Sequence, residues 1–302
     1  MSLHFLFLGH AGPVPRPVWP SVLGAWDLDP LVWLPIVAAA GLYELGYGRV
    51  RAYPPERRLH FHLGLFVLVL ALASPFAAYD DSIFWVHMLQ HLLITAVAAP
   101  LLALGAPVAL AMRAVSPRVR RRLTLVLSSG VVHRLTHPLL TWVYMSAGLW
   151  ALHFTPIYNA ALTNDLVHAV EHGFFLVLGF LFWWPLVGLD PGARRLGWPL
   201  RIVYLMAFMP VGVFLGLAIY SAQHPIYPHY ANLPFDWAPA PMDDQRLAGE
   251  IMWVGGMLLN LAALPFLIFG WFRHERREAE RVDRRLDREA VAAEVSSPTA
   301  EG

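Results

Sequence analysis

The sequence predicts an all-α integral membrane protein, a bundle of seven transmembrane helices with the N-terminus outside and the C-terminus cytoplasmic. Apolar residues make up 57% of the 302 residues and charged residues only 14%, and the mean hydropathy is +0.51. A helix needs about 20 mostly apolar residues to cross the hydrocarbon core. The predicted spans are residues 29–47, 60–78, 84–112, 138–154, 165–188, 199–221 and 247–272.

The distribution of arginine predicts the orientation of these spans. All 22 basic residues are arginine, and 20 of them lie in the first, third and fifth connecting segments or in the C-terminal tail. The other side carries only Arg16 and Arg246. The positive-inside rule therefore places the arginine-rich side in the cytoplasm. The net charge of +1 gives no reason to expect nucleic acid as a partner.

Three regions are predicted along the chain. Residues 1–27 form an outer N-terminal arm, and residues 1–10 lack the basic region of a secretory signal peptide. Residues 28–272 form the seven-helix membrane domain. Residues 273–302 form a charged cytoplasmic tail, of which 273–290 extend the last helix and 294–302 are predicted to be disordered.

Two histidine pairs are the candidate metal ligands. His87 and His91 open the third span, His168 and His172 open the fifth, and His153 ends the fourth. Residues four apart share a helix face, so each pair can direct two imidazoles at one point. All five lie near the predicted outer boundary. Packed together, such helices can offer four nitrogens to one metal ion or to a close pair of ions.

The surrounding residues indicate how such a site is supported and which metals suit it. A ligating imidazole usually donates its other N–H to a carboxylate or carbonyl, and Glu171, Asp244 or Gln90 can accept it. Met252 and Met88 also lie nearby, although methionine more often serves packing. The chain has no cysteine. Neutral imidazoles suit zinc, copper, iron and nickel, and thioether neighbours favour Cu(I).

Simpler interpretations remain open for these residues. Chance alone gives roughly 0.6 histidine pairs at this spacing, and a third pair, His133 and His137, lies on the arginine-rich side. Polar contacts between helices explain a buried histidine without any metal. His153 can also cap its helix end. We expect Asp80 and Asp81 to solvate a turn.

Three further functions are compatible with the pattern. His168-x-x-Glu171-His172 matches the HxxEH motif of inverted zinc proteases, which predicts a hydrolase. His91 and His172, on facing helices, can serve as the two axial ligands of a haem. A structural scaffold would use the histidines only to pack helices, and the loop histidines His224 and His229 are expected at the surface.

Four stretches of the chain resemble the CtaG-like cytochrome c oxidase assembly factors. They are HMLQHLLITAVAAPLLALGAP at 87–107, HFTPIYNAAL at 153–162, His168 to His172 with the later FWWP at 182–185, and Asp244-Gln245 with Met252-Trp253. The motifs keep their order over nearly all of residues 28–272. One departure is Leu152, where the family pattern has Trp before the histidine.

This resemblance implies a non-enzymatic, multi-pass protein of the bacterial inner membrane. It implies a role in maturing a haem–copper terminal oxidase, with copper captured at the outer face and passed to an oxidase subunit within the bilayer. The metal ligands would then be His87, His91, His168, His172 and His153, supported by Glu171, Asp244 and Met252. Copper is the expected metal, with zinc or haem as the alternatives.

Overall fold

A computed structural model describes residues 16–192 and 194–296. The prediction about residues 1–10 lies outside this part of the chain. All its regular elements are helical, which confirms the all-α prediction. The helices are α1 Pro30–Arg49, α2 Pro55–Leu72, α3 Pro75–Tyr79, α4 Phe84–Leu92, α5 Ala99–Leu104, α6 Pro107–Ala114, α7 Pro117–Leu127, α8 Gly130–Leu135, α9 Pro138–His153, α10 Pro156–Ala161, α11 Asp165–Val187, α12 Trp198–Ser221, α13 Pro228–Ala231, α14 Pro241–Glu250 and α15 Gly256–Ser296.

Six helical stretches of the described residues are long and apolar enough to cross a membrane, so the chain is a multi-pass membrane protein. They are Pro30–Arg49, Pro55–Tyr79, Phe84–Ala114, Asp165–Val187, Trp198–Ser221 and Pro241–Glu289. The predicted span 138–154 corresponds to α9, which has 16 residues. At 1.5 Å per residue it extends about 24 Å, less than the roughly 30 Å of a hydrocarbon core.

Proline begins many of these helices. Pro30, Pro55, Pro107, Pro138 and Pro241 all occupy the first turn of a helix. The first turn has no intrahelical partner for the backbone N–H, so proline loses no hydrogen bond there and presets the helical φ. These prolines therefore mark where helices begin.

The stretch from α4 to α5 lies at the centre of the bundle, against α2, α11 and α14. Helix α12 packs against α14 and α15, and α11 packs against α9. Helix α1 is peripheral, and its Leu34 and Leu42 are about 70% exposed (68% and 70%). An exposed face of this kind suits contact with lipid tails.

Two glycines bring α12 against α14 at close range. A Cβ atom added at Gly216 would lie 2.6 Å from the carbonyl oxygen of Gly249, and one added at Gly249 would lie 2.7 Å from that of Gly216. Small residues at a membrane helix crossing let the two backbones approach closely. This crossing sets the position of α14, which in turn supports α4.

The third stretch is interrupted twice. Residues Leu93–Ala98 form a π-helical segment between α4 and α5, and Ala106 is left-handed, with φ 49°, between α5 and α6. The second break is held by the hydroxyl groups of Tyr43 and Tyr53, which donate to the carbonyl oxygens of Gly105 and Ala106 at 2.8 Å each. A second π-helical segment, Ile251–Gly255, connects α14 to α15.

The last helix confirms one expectation about the tail and changes another. Helix α15 runs without a break from the membrane stretch to Ser296, so residues 273–290 do extend it. Residues 294–296, predicted to be disordered, are helical. The rest of that predicted segment, 297–302, lies outside the described residues.

Candidate metal centre

The structure brings the five predicted histidines into one cluster, here called the histidine cluster (His87, His91, His153, His168 and His172). It lies where α4 and α11 begin and α9 ends, which we call the histidine end of the bundle. The ring centroids are 4.4 Å apart for His87 and His91 and 4.3 Å apart for His168 and His172. Across helices, the His87–His168 distance is 5.1 Å, His91–His172 5.7 Å and His91–His153 5.6 Å.

The cluster contains an unusual number of buried polar atoms without partners. His87 is 0% exposed, His91 and His153 1%, Glu171 2% and His172 8%. Eight of their atoms have no hydrogen-bond partner within the described part of the chain: both ring nitrogens of His87 and His91, Nε2 of His153 and His172, and both carboxylate oxygens of Glu171. Each such atom costs about 1–3 kcal/mol, and native folds leave few of them. The donor set therefore fits a metal ion.

Three sets of three side chains could each hold a metal ion. Within a set, each side chain contributes one potential ligand atom, and these atoms lie within 4.8 Å of one another. The rim triad consists of Asp80, Asp81 and His168. The middle triad consists of His87, His168 and His172. The inner triad consists of His87, His91 and Glu171. The rim and middle triads share His168, and the middle and inner triads share His87. The cluster thus offers three overlapping positions for an ion.

A backbone hydrogen bond fixes the tautomer and the orientation of His153. Its Nδ1 lies 2.7 Å from the carbonyl oxygen of Leu149. A carbonyl can only accept, so Nδ1 carries the proton, and Nε2 of the neutral ring presents a lone pair to the cluster. The phenol of Tyr227 donates to the carbonyl oxygen of His153 at 2.7 Å. Burial raises the pKa of Tyr227 well above its ordinary value, which keeps this donor protonated.

Asp244 supports the cluster differently from the prediction. The two oxygens of its carboxylate accept hydrogen bonds from the backbone amides of Phe84 and Trp85, at 2.8 and 3.0 Å. These amides begin α4, where the N–H groups lack intrahelical partners and a negative charge is favoured. Asp244 therefore positions the helix that carries His87 and His91 and does not orient an imidazole directly.

Glu171 also takes a different place from the one expected. Its Oε2 lies 3.9 Å from Nε2 of His87, and it belongs to the inner triad with the histidines of the opposite helix. It is therefore a candidate ligand and not merely a hydrogen-bond partner. The other predicted acceptor, Gln90, donates from Nε2 to the carbonyl oxygen of Ala71 at 2.8 Å.

Aromatic residues close the cluster on two sides. Tyr158, which is 0% exposed, lies 5.1 Å from His87 and 5.8 Å from His153 between ring centroids. Phe175 lies 4.4 Å from His91. These rings exclude water and hold the imidazoles in place, which strengthens any interaction with an ion.

The prediction that Asp80 and Asp81 solvate a turn is wrong. Asp80 is 2% exposed, and its Oδ2 lies 3.9 Å from Nε2 of His168, while Oδ1 of Asp81 lies 3.8 Å from Nδ1 of the same ring. The loop between α12 and α14 covers this turn, with His229 and Tyr230 bonded to the carbonyl oxygens of Asp81 and Asp80 at 2.7 and 2.8 Å. The position of both acids just before α4 was the available signal.

Methionines line a small cavity beneath the cluster. The cavity measures about 40 Å³, and His91, Asn260 and four methionines are among the residues that line it. The methionines are Met145, Met209, Met252 and Met257. Met252, predicted to support the site, is 4% exposed and lines this cavity. Three of these methionines were not singled out from sequence, because they come from different helices and share no local spacing.

Comparisons with known proteins agree with the resemblance seen in the motifs. The model of the cytochrome c oxidase caa3 assembly factor family matches residues 41–274. An uncharacterized protein of Mycobacterium bovis is 32% identical over 97% of this chain, and one of Mycobacterium leprae is 31% identical over 93% of it.

These alignments cover 46% and 44% of the two relatives, so the chain spans less than half their length. No solved structure gives a significant match. The family model covers well over half of the chain, and it includes every residue of the histidine cluster. The chain therefore belongs to the caa3-type cytochrome c oxidase assembly factor family.

Proposed function

We propose that this assembly factor captures copper at the histidine end of the bundle and delivers it to a subunit of a haem–copper terminal oxidase. In this proposal the protein lies in the bacterial inner membrane with the histidine end facing outward. It catalyses no reaction, and copper is its cargo. The observation that carries the proposal is the set of eight buried nitrogen and oxygen atoms without partners, from α4, α9 and α11, in one cluster.

A purely structural role for the histidines is less consistent with this geometry. Histidines that hold helices together do so by hydrogen bonds between them. His87 and His91 form none within the described residues. Their burial therefore lowers stability unless something else, such as a metal ion, uses the lone pairs.

The packing also favours a bare ion over haem. The rings of His91 and His172, the proposed axial pair, are 5.7 Å apart. His87 lies 4.4 Å from one and 5.9 Å from the other, and Phe175 packs against His91 at 4.4 Å. A porphyrin plane between the two axial ligands would overlap these neighbouring rings.

A hydrolase is supported less well than a carrier. In HxxEH enzymes the two histidines of the motif bind zinc and the glutamate activates water. Here Glu171 groups with His87 and His91 of the other helix and is 2% exposed. This placement suits a ligand better than a base that must reach water and substrate.

The choice of copper rests on the methionine-lined cavity beneath His91. A given set of nitrogen and oxygen ligands binds Cu(II) more tightly than zinc, and thioethers are soft ligands that also accept Cu(I). Met145 and Met252 are 3% and 4% exposed, and they line the same cavity as His91 of the inner triad. A site without thiolates holds copper less tightly, which suits delivery.

Chain connectivity supports seven spans with termini on opposite sides. Helix α9 begins at Pro138, just after the arginine-rich helices α7 and α8, and ends at His153 in the histidine cluster. It thus connects the two ends of the bundle although it is short. With α9 counted, 20 of 22 arginines fall at the end opposite the histidines, and the positive-inside rule directs the histidine end outward.

The test is metal analysis of the purified protein and of its variant with alanine at His87, His91, His168 and His172. The exposed histidines His133 and His224 provide a matched control variant. We expect copper in the wild type and in the control, little in the cluster variant, and copper-deficient oxidase in cells that express the cluster variant. Equal copper in all three proteins, or a Soret band in the wild type, would contradict the proposal.

A further inference from the structure

The three triads run from a partly exposed rim into the interior. In the rim triad the exposed fraction of the side chain is 22% for Asp81, 12% for His168 and 2% for Asp80. The residues of the other two triads are buried apart from the shared His168, with 8% of the whole residue exposed for His172, 2% for Glu171, 1% for His91 and 0% for His87. His168 and His87 each lie one helical turn, about 6 Å, closer to the rim than His172 and His91.

Backbone contacts fix the turn that carries Asp80 and Asp81. The backbone carbonyl oxygen of Asp81 accepts a hydrogen bond from His229 at 2.7 Å, and that of Asp80 accepts one from Tyr230 at 2.8 Å. The amide of Ile83 also bonds to the carbonyl oxygen of Tyr79 at 2.8 Å. The backbone of the turn is therefore held from both sides, and the carboxylates of Asp80 and Asp81 are directed towards the ring of His168.

From this geometry we infer that Asp80, Asp81 and His168 form a loading site for a divalent cation such as Cu(II), which then moves inward by exchange of shared ligands. This inference rests on the proposed function, that the histidine cluster binds copper. His87 provides an observation that does not depend on the acidic residues. It is fully buried, and both of its ring nitrogens lack a partner among the described residues. His87 belongs to the middle triad, which shares His168 with the rim triad.

The exchange needs neither a redox partner nor a free dehydrated ion. As the bonds from the metal to Asp80 and Asp81 break, bonds to His87 and His172 form, while His168 stays bound. The next step exchanges His168 and His172 for His91 and Glu171, while His87 stays bound. No electron moves, and the imidazoles stay neutral. A shared ligand avoids the large cost of an unliganded ion in an apolar interior.

The charge of each triad suits its depth. Two carboxylates at the rim attract cations from solution, and such local fields raise association rates by about 10- to 1,000-fold. The middle triad has only neutral imidazoles and therefore places no negative charge next to the ion. The inner triad again includes a carboxylate, Glu171, which retains it.

The experiment measures the rate of Cu(II) loading in the wild type and in two variants of the whole chain. Loading is monitored after rapid mixing by the quenching of tryptophan fluorescence. The test variant is D80N/D81N, which keeps the shape of both side chains and removes their charge. The matched control is D165N/D243N, since Asp165 and Asp243 are exposed acids near the same end of the bundle. We expect loading at least ~10-fold slower in the test variant, unchanged loading in the control, and unchanged copper content at equilibrium.

Equal loading rates in the wild type and D80N/D81N would overturn the inference while leaving the proposed function intact. A wild type that binds no copper would instead refute the proposed function. Because Asp80 is buried, D80N can impair folding. The single variant D81N then decides the question, since Asp81 is partly exposed: slower loading with full final occupancy supports the rim triad, and a wild-type rate refutes it.

Discussion

Asp244 allows the link between the fold and the histidine cluster to be tested in one substitution. Its carboxylate accepts hydrogen bonds from the first two backbone amides of α4. The substitution D244A therefore leaves these two N–H donors without their acceptor. Each lost hydrogen bond to a buried acceptor costs about 1–3 kcal/mol. We therefore expect D244A to lower the free energy of unfolding by about 2–5 kcal/mol. D244N, which keeps one oxygen, should cost about half as much.

The neighbouring residue provides the matched control for this prediction. The side chain of Asp243 is 75% exposed and pairs with Arg246 at 3.4 Å on the surface. Exposed ion pairs contribute less than about 1 kcal/mol, so D243A should be close to the wild type. The assay is unfolding in detergent, followed by tryptophan fluorescence, together with copper titration of each variant.

Copper affinity should respond to Asp244 as well, because the carboxylate positions the helix that carries His87 and His91. Loss of a positioning group typically weakens a metal site by about 10- to 100-fold. Equal stability and equal copper affinity in D244A and D243A would refute the reasoning that α4 depends on this cap.

Three further predictions follow from other parts of the structure. Burial raises the pKa of Asp190 from 3.8 to about 6, so the folded state holds this proton more tightly than the unfolded state. Stability should therefore fall as pH rises through that window, and D190N should remove up to roughly 3 kcal/mol of this dependence in melts at several pH values. G216A should lower the unfolding free energy by about 1–3 kcal/mol because its Cβ meets the backbone of Gly249, whereas G212A, with open space around the Cβ, should not. E171Q should weaken copper binding about 10-fold in a titration, whereas a hydrolase would keep its metal and lose activity.

Local patterns were sufficient to predict the histidine cluster. The spacing of His87 with His91 and of His168 with His172 defines one face of each helix, and hydropathy places both pairs at the same end of their segments. Because the spans pack side by side, residues at one depth can meet. The convergence of separate helices could therefore be predicted without knowing which helices are neighbours.

Roles that depend on the identity of the neighbour could not be predicted in this way. Asp244 caps α4, 160 residues earlier in the chain, and nothing in its local sequence specifies that partner. Asp80 and Asp81 look like turn residues because the loop that covers them, with His229 and Tyr230, comes from a distant part of the chain. These contacts arise from tertiary packing.

Hydropathy also does not predict the irregularities of the backbone. Residues 84–112 read as one continuous span, yet the structure has a π-helical segment at Leu93–Ala98 and a left-handed residue at Ala106. Within the π-helical segment, the carbonyl oxygen of Thr95 accepts a hydrogen bond from the indole N–H of Trp183 at 2.9 Å. Such departures are frequent near functional sites, and they depend on side-chain contacts between helices that periodicity does not encode.

X-ray absorption at the copper K-edge tests the central claim most directly, because it reports the atoms bound to the metal in the intact protein. For the copper-loaded wild type we predict the multiple-scattering pattern of about two imidazoles together with an oxygen ligand, as the inner triad provides. We also predict the loss of the imidazole pattern when His87 and His91 are replaced. A spectrum without imidazole scattering, or one unchanged by those substitutions, would contradict the assignment of the histidine cluster as the copper site.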